Sequence, residues 1–307
     1  MTSETADGEA GARRAAAHLT IAVCGETAHT SMGEDAAKVD LKISFRHAFI
    51  PTKLLNVHIQ VKSGSSYRSA HTDQTKFKLK IDKATREALL GSVQPGLIVW
   101  VPPWPKSRLY WYAFDPRRPP PSSVVINNDA YIRPSLRYDL TRHLDYSAWG
   151  RLSPSQMMAE LDDAEVLSEA KRAYSELKAA KIDHPLVGRV AITRFAWRHI
   201  TRRGKPAGER IRTLRATPYL KAFLDKVPSR YVCNRHPPML VGSNFCDKRE
   251  ILCWYRGALK YRGEKFSLLI RLVEEISYPV NWLDRPLRVS DIVQKTTLAS
   301  WWFKRDS

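Results

Sequence analysis

The chain has 307 residues, 43% of them hydrophobic, and carries 50 Lys and Arg against 31 Asp and Glu, a formal net charge of +19. Its length suits two globular domains, and the charge excess is too large for a neutral enzyme surface and points to a polyanionic partner, nucleic acid before a membrane. No apolar run reaches the length of a membrane span, and the opening MTSETADGEAGARRAAAHLTIAVCG lacks the basic-then-apolar order of a secretory signal, so a cytoplasmic protein with no membrane partner is expected. Four cysteines, Cys24, Cys233, Cys246 and Cys253, are too sparse for a disulfide framework and are expected to be reduced.

Glu9 to Val23 is rich in Ala and Arg and predicts a helix ended by Gly25. KVDLKISF then alternates, with Val39, Leu41, Ile43 and Phe45 on one face and Asp40, Lys42 and Ser44 on the other. LLNVHIQVKSG is the next strand: Val57, Ile59 and Val61 share one face, and His58, Gln60 and Lys62 share the opposite one. KATREALLGS predicts a covering helix, and GLIVWVPP and RLYWYAFDP predict apolar strands bounded by Pro and Gly. Proline in DPRRPPPSS blocks any regular element and closes the first domain, residues 1–150. From Pro154 to Ile182 apolar residues recur at helical spacing with almost no Gly or Pro, which predicts a linking helix within 151–183. A second, basic domain is expected over 184–307, able to fold alone, with strands at EILCWYRGALKYRG, FSLLIRLVEEISYP and DIVQKTTLASWWFKR.

If the strands bearing Asp40 and Lys62 pair as a hairpin, Asp40, Gln60 and Lys62 converge on one side of the sheet. A carboxylate there can hold Mg2+, and an ammonium can meet a phosphate or position a water. The same residues can also be read as a solvated salt bridge on an exposed sheet face. The order of helix acid, strand Asp and Q-x-K resembles the catalytic core of the PD-(D/E)XK, restriction-endonuclease-like superfamily, in its variant with glutamine at the middle position. The resemblance spans roughly residues 8 to 145 and includes YWYAFDPRRP, which looks like small nuclease domains of bacterial anti-phage defence proteins. It implies a metal, Mg2+ or Mn2+, held by Asp40, Gln60 and a helix acid, with Lys62 helping to activate the attacking water. Glu9 matches the helix acid best and Glu4 less well, while Asp35 is read as a loop residue. One departure from the pattern matters: the middle ligand, Gln60, is neutral, so affinity leans on Asp40 and the helix acid.

In the second domain, FAWRHITRRGK sets His199 among Arg194, Arg198, Arg202, Arg203 and Lys205, WYRGALKYRG carries Arg256, and KTTLASWWFKR offers Thr297 and Ser300. Cations interleaved with aromatics suit nucleic acid, and a His, an Arg and a hydroxyl are what metal-free RNA cleavage needs. The outline is similar to the barnase, EndoU, colicin and RelE-like ribonucleases, a resemblance that implies catalytic roles for His199, Arg256 and Ser300, with Thr297 as the alternative hydroxyl. The other reading is a basic binding module in which His199 packs or touches phosphate. Cys233, His236, Cys246 and Cys253 fit no standard zinc spacing, and the three cysteines are read as buried thiols.

The expected fold class is α/β: a restriction-endonuclease-like mixed sheet flanked by helices, joined by a helix to a smaller α+β domain with an antiparallel sheet. The expected activity is metal-dependent endonuclease cleavage of nucleic acid, DNA before RNA, in anti-phage defence, by a chain that acts as a homo-oligomer or with a partner defence protein. The alternatives are an inactive nucleic-acid sensor, and a toxin whose only active domain is the metal-independent ribonuclease.

Overall fold

The computed structural model describes residues 3–30, 39–91, 95–104, 108–115, 118–148, 155–202, 204 and 206–306. It is an α/β protein that divides into two compact units, Met1–Ser147 with Tyr278–Ile292, and Ala148–Ser277 with Val293–Ser307. Among the described residues no helix is long and apolar enough to cross a membrane.

The first unit opens with helix α1 (Ser3–Val23), six residues earlier than the predicted start. Its end is a Schellman motif: the Gly25 amide donates to the Thr20 carbonyl and the Cys24 amide to that of Ile21. Cys24, not Gly25, takes the left-handed position, at φ 50°. Gly25 is needed for space instead, because a Cβ there would stand 2.5 Å from the Ser44 carbonyl oxygen.

Strands β1 (Glu26–His29), β2 (Leu41–Arg46), β3 (Leu54–Ser63), β6 (Gly96–Val101) and β7 (Tyr110–Ala113) form a mixed sheet in the order β1-β2-β3-β6-β7. Only the β3–β6 pairing is parallel. The register sets Leu41 against Ile59, Ile59 against Leu97 and Val61 against Val99, one continuous apolar face. On that face lies α1, whose Ala15, Leu19 and Ala22 are fully buried at helical spacing. The other face carries Ile98 and Trp100, covered by Phe77, Leu79, Val124 and Ile126 of a small antiparallel sheet. That sheet comprises β4 (Arg68–Ala70), β5 (Lys76–Lys80) and β8 (Ser123–Asn127). Helix α2 (Lys83–Gly91) links β5 to β6, and α3 (Leu136–Ala148) follows β8. The loop after β2 is tied to α3 through the buried Asp145, which accepts from the half-exposed Lys53 and pairs with the buried His47 Nε2, both at 2.5 Å.

The helix expected to link two domains, α4 (Asp163–Ala179), is part of the second unit. Its stripe of Val166, Ala170, Tyr174 and Leu177 is buried, and Tyr174 stacks on Trp301 at 5.7 Å between centroids. An apolar stripe of that width needs a partner surface, which a free linker lacks. Residues 278–292, assigned from the sequence to the second domain, belong to the first unit.

The second unit is built on an eight-stranded sheet. Its main path runs β10 (Ile182–His184), β11 (Gly188–Ala191), β16 (Val293–Arg305), β15 (Glu264–Pro279), β14 (Asn244–Tyr261) and β12 (Arg230–Arg235). Both β9 (Gln156–Met157) and β13 (Met239–Val241) also pair with β14. The sheet is antiparallel as expected, except where β11 meets β16 and β9 meets β14. Helices α5 (Arg194–Thr201), α6 (Ala207–Arg215) and α7 (Leu220–Leu224) complete the unit. Trp301 Nε1 donates to the Thr213 carbonyl of α6, so the helices cover the sheet face that Trp301 occupies.

Candidate functional site

Asp40 immediately precedes β2, and its amide donates to the Ile59 carbonyl at 2.9 Å, continuing the β2–β3 ladder by one rung. Because Leu41 pairs with Ile59 on the α1 face, Asp40 falls on the opposite face, beside Gln60. Asp40 Oδ2 accepts from Gln60 Nε2 and from the Val61 amide, both at 2.5 Å. Gln60 is 7% exposed, and with its Nε2 committed to Asp40 its buried Oε1 has no hydrogen-bond partner. A buried carbonyl oxygen left unmatched is costly unless a cation or donor meets it.

Lys62, two residues on, is also buried, and pairs in register with Trp100. Its Nζ donates to Asp82 Oδ2 at 2.6 Å and to Thr85 Oγ1 at 3.0 Å, and lies 5.3 Å from the centre of the Tyr67 ring. Asp82 is also the N-cap of α2, its Oδ1 accepting from the Thr85 amide at 2.7 Å. Burial raises the Asp82 carboxyl, but the hydrogen bonds from Lys62 and from the Thr85 amide and hydroxyl outweigh it and bring the pKa down to about 2. Neither Asp82 nor Thr85 was singled out from the sequence. The available signal was an Asp before a helical run with Thr at its third position, which marks a cap and says nothing about which strand residue the carboxylate meets.

The polar row sits where the sheet face changes character. Toward the start of β3 the face is open: Ser44 donates to Asn56 at 2.6 Å, and Lys42 and His58 are half-buried. From Gln60 onward it passes under the Phe77 and Trp100 cluster. A carboxylate, a buried unmatched carbonyl oxygen and a buried ammonium therefore stand on one strand pair at the rim of a core.

Glu9 is not brought to this row. The face of α1 that meets β3 is marked by Gly11, where a Cβ would come within 1.8 Å of Ser63 Oγ. Glu9 is exposed, and two residues of helix turn it by about 200° from Gly11. Glu4 lies in α1 among residues whose side chains are not described, and Asp35 lies outside the described residues. Hard oxygen donors suit Mg2+ or Mn2+, and Asp40 and Gln60 carry oxygens of that kind, although Gln60 turns its Nε2 and not its buried Oε1 to the Asp40 carboxylate. Among the described residues no group of three His, Cys, Asp or Glu side chains is placed to hold a metal.

The second set of expected residues is divided by the sheet. Trp301 faces the helices, so its neighbour Ser300 faces the other way, where it is buried and accepts from Arg271 Nε at 3.1 Å. Tyr255 packs on Phe223 of α7, so Arg256 also points away from the helices, exposed. His199 lies in the helical layer, on α5, stacked on Phe195. Thr297, the alternative hydroxyl, is half-buried in β16 opposite Val273. His199 is thus on the opposite side of the sheet from Arg256 and Ser300, a correction to the grouping that the ribonuclease resemblance implied. Of the expected buried thiols only Cys253 is fully buried, 3.8 Å from His184 Nε2, while Cys233 and Cys246 are half-buried. Burial and the nearby Glu275 and Asp247 carboxylates push the Cys246 thiol up, which disfavours the thiolate a metal needs. Comparison with protein-family models, curated proteins and solved structures finds no match to this chain.

Proposed function

We propose that the first unit is a metal-dependent nuclease that hydrolyses nucleic-acid phosphodiester bonds, DNA before RNA, with Asp40, Gln60 and Lys62 as its working residues. The observation that carries this reading is the pairing of Asp40 with Gln60, whose Nε2 donates to the carboxylate while its buried Oε1 is unmatched. Asp40 and Gln60 would hold Mg2+ or Mn2+, and the Val61 amide keeps the Asp40 carboxylate oriented. Such an ion, when bound, supplies an activated water and neutralises charge on the phosphate. Lys62, held by Asp82 and Thr85, offers its ammonium to charge that develops on the phosphate in the transition state. The net charge of +19 supports a polyanionic substrate. Action in the cytoplasm, in anti-phage defence, with a partner protein or as a homo-oligomer belongs to the same proposal.

For the second unit the binding-module reading is favoured over a ribonuclease, because the sheet separates His199 from Arg256 and Ser300 and no single phosphate meets all three. Digestion of plasmid DNA and total RNA with Mg2+ and with EDTA tests both readings. The expected result is Mg2+-dependent cleavage that EDTA abolishes. Asp40→Ala is expected to lose both metal binding, read by calorimetry, and cleavage, while Lys62→Ala keeps metal binding and loses turnover. Wild-type cleavage by Lys62→Ala would overturn the site, and EDTA-resistant RNA cleavage that His199→Ala removes would restore the ribonuclease reading.

A further inference from the structure

We propose that the outer face of α5 is a docking strip for single-stranded nucleic acid, with Phe195 as the residue on which a base stacks. This deepens the nucleic-acid reading above and rests on it, but it does not depend on the chemistry of the first unit. The buried side of α5 is made by Ala196 and Ile200, fully buried. On the other side Arg194, Phe195, Arg198 and His199, with Arg202 at the C-cap, form one stripe at helical spacing. Phe195 is 65% exposed although it lies one residue from a core position. Its ring is nearly parallel to that of His199, 20° between planes and 6.3 Å between centroids, so the histidine holds the orientation of an otherwise exposed ring.

The charges on this stripe are of one sign. No acidic residue occurs in α5, and among the described residues Arg194, Arg198 and Arg202 are all exposed and engaged by no ion pair or hydrogen bond. The guanidiniums recur every four residues, a rise of about 6 Å along the axis. A strip of unengaged cations beside an exposed ring matches the two needs of a single strand, phosphates to be neutralised and base faces to be stacked. A duplex offers the same phosphates but hides its base faces, so Phe195 would be idle against it. An acidic protein surface would use the cations and not the ring in this sequence-tolerant way.

The test uses the full chain in EDTA, so that cleavage by the first unit does not enter. Binding of labelled single-stranded DNA, single-stranded RNA, the matched duplex and an abasic strand of equal charge is measured by fluorescence anisotropy over a salt series. Phe195→Ala is expected to weaken binding of both base-bearing strands about tenfold and to leave the abasic strand and the duplex unchanged, whereas Phe195→Trp keeps wild-type affinity. Arg198→Ala is expected to weaken every ligand and to lower the salt slope for single strands by about 0.7. Unchanged binding of base-bearing strands by Phe195→Ala, or an equal loss on the abasic strand, overturns the inference while leaving the nuclease reading intact. Failure of the wild-type chain to bind any of these ligands overturns both. Phe195 is exposed, so its replacement leaves the core in place, and circular dichroism of the variant verifies this.

Discussion

The ion pair between Lys62 and Asp82 should respond unequally to loss of its two members. The Lys62 side chain is 7% exposed and that of Asp82 44%, so one charge depends on its partner and the other has water. Deleting one member of a buried pair costs about 3–5 kcal/mol. The solvent reaching Asp82 discounts that for Asp82→Asn to about 2 kcal/mol, because asparagine still caps α2 and only the charge is lost. Asp82→Ala also removes the cap and adds about 1 kcal/mol, for a total near 3. Lys62→Met removes the buried charge, returns Asp82 to water and should cost under about 1 kcal/mol. The double variant Lys62→Met with Asp82→Asn should be no less stable than Lys62→Met alone, since the term that Asp82→Asn exposes is gone. Urea unfolding at neutral pH, with the dependence on denaturant unchanged, reads these differences. The pH dependence follows from the depressed Asp82 carboxyl: its contribution is complete above the unfolded carboxylate value of about 3.9 and is lost as pH falls toward about 2. The gap between wild type and Asp82→Asn should therefore close in acid. If Lys62→Met costs as much as Asp82→Ala, Lys62 is not a buried cation dependent on Asp82, and its anchored role at the site fails with it.

Gly11→Ala should destabilise the first unit by about 1–2 kcal/mol: the gain a helix normally takes from alanine is smaller than the cost of overpacking against Ser63. In a Ser63→Gly background the same change should become neutral or stabilising, and calorimetric melting of the four proteins checks that reversal. In the second unit Arg249 and Glu274 are both buried and paired at 3.2 Å, so Glu274→Ala should cost about 3–5 kcal/mol in urea unfolding by stranding the guanidinium. Burial raises the Asp145 carboxyl, but hydrogen bonds from His47 and Lys53 outweigh it and hold it below the usual range. Its stabilising effect is therefore present above the unfolded carboxylate pKa and lost as pH falls, so Asp145→Asn should flatten the acid limb of a stability curve measured from about pH 6 down to pH 3.

Strand alternation carried much of the first unit. The period of two in KVDLKISF and LLNVHIQVKSG places Asp40 and Gln60 on one face, and the pairing of Leu41 with Ile59 realises it. The helix acid was harder: the Ala-rich run announces α1 but not which of its faces meets β3, and that choice turns on the tight approach at Gly11. Asp82 was hidden for a different reason. It meets Lys62 from twenty residues away, after a hairpin whose packing no local pattern encodes. In the second unit the residue types were legible but their sides were not: His199, Arg256 and Ser300 lie on three elements, and only the packing of Trp301 and Tyr255 decides which face each neighbour takes. The stripe on α4 was read correctly as helical, yet a sequence does not say what an apolar stripe will cover.

The return of residues 278–292 to the first unit has a consequence for synthesis. Trp282 meets His18 of α1 edge-on, and Leu287 and Ile292 are buried, so this segment supplies part of the first unit's interior. A ribosome delivers residues 1–147 first and the returning segment about 130 residues later, on the order of ten seconds at usual elongation rates. Through that interval the seat for Trp282 at α1 stands open to chaperones and to neighbouring nascent chains. The second unit also waits, because β16, the strand between β11 and β15, is the last to emerge. A protease nick near residue 150 would free neither unit, and a fragment covering 184–307 would lack α4 and carry a stretch of the other unit's core.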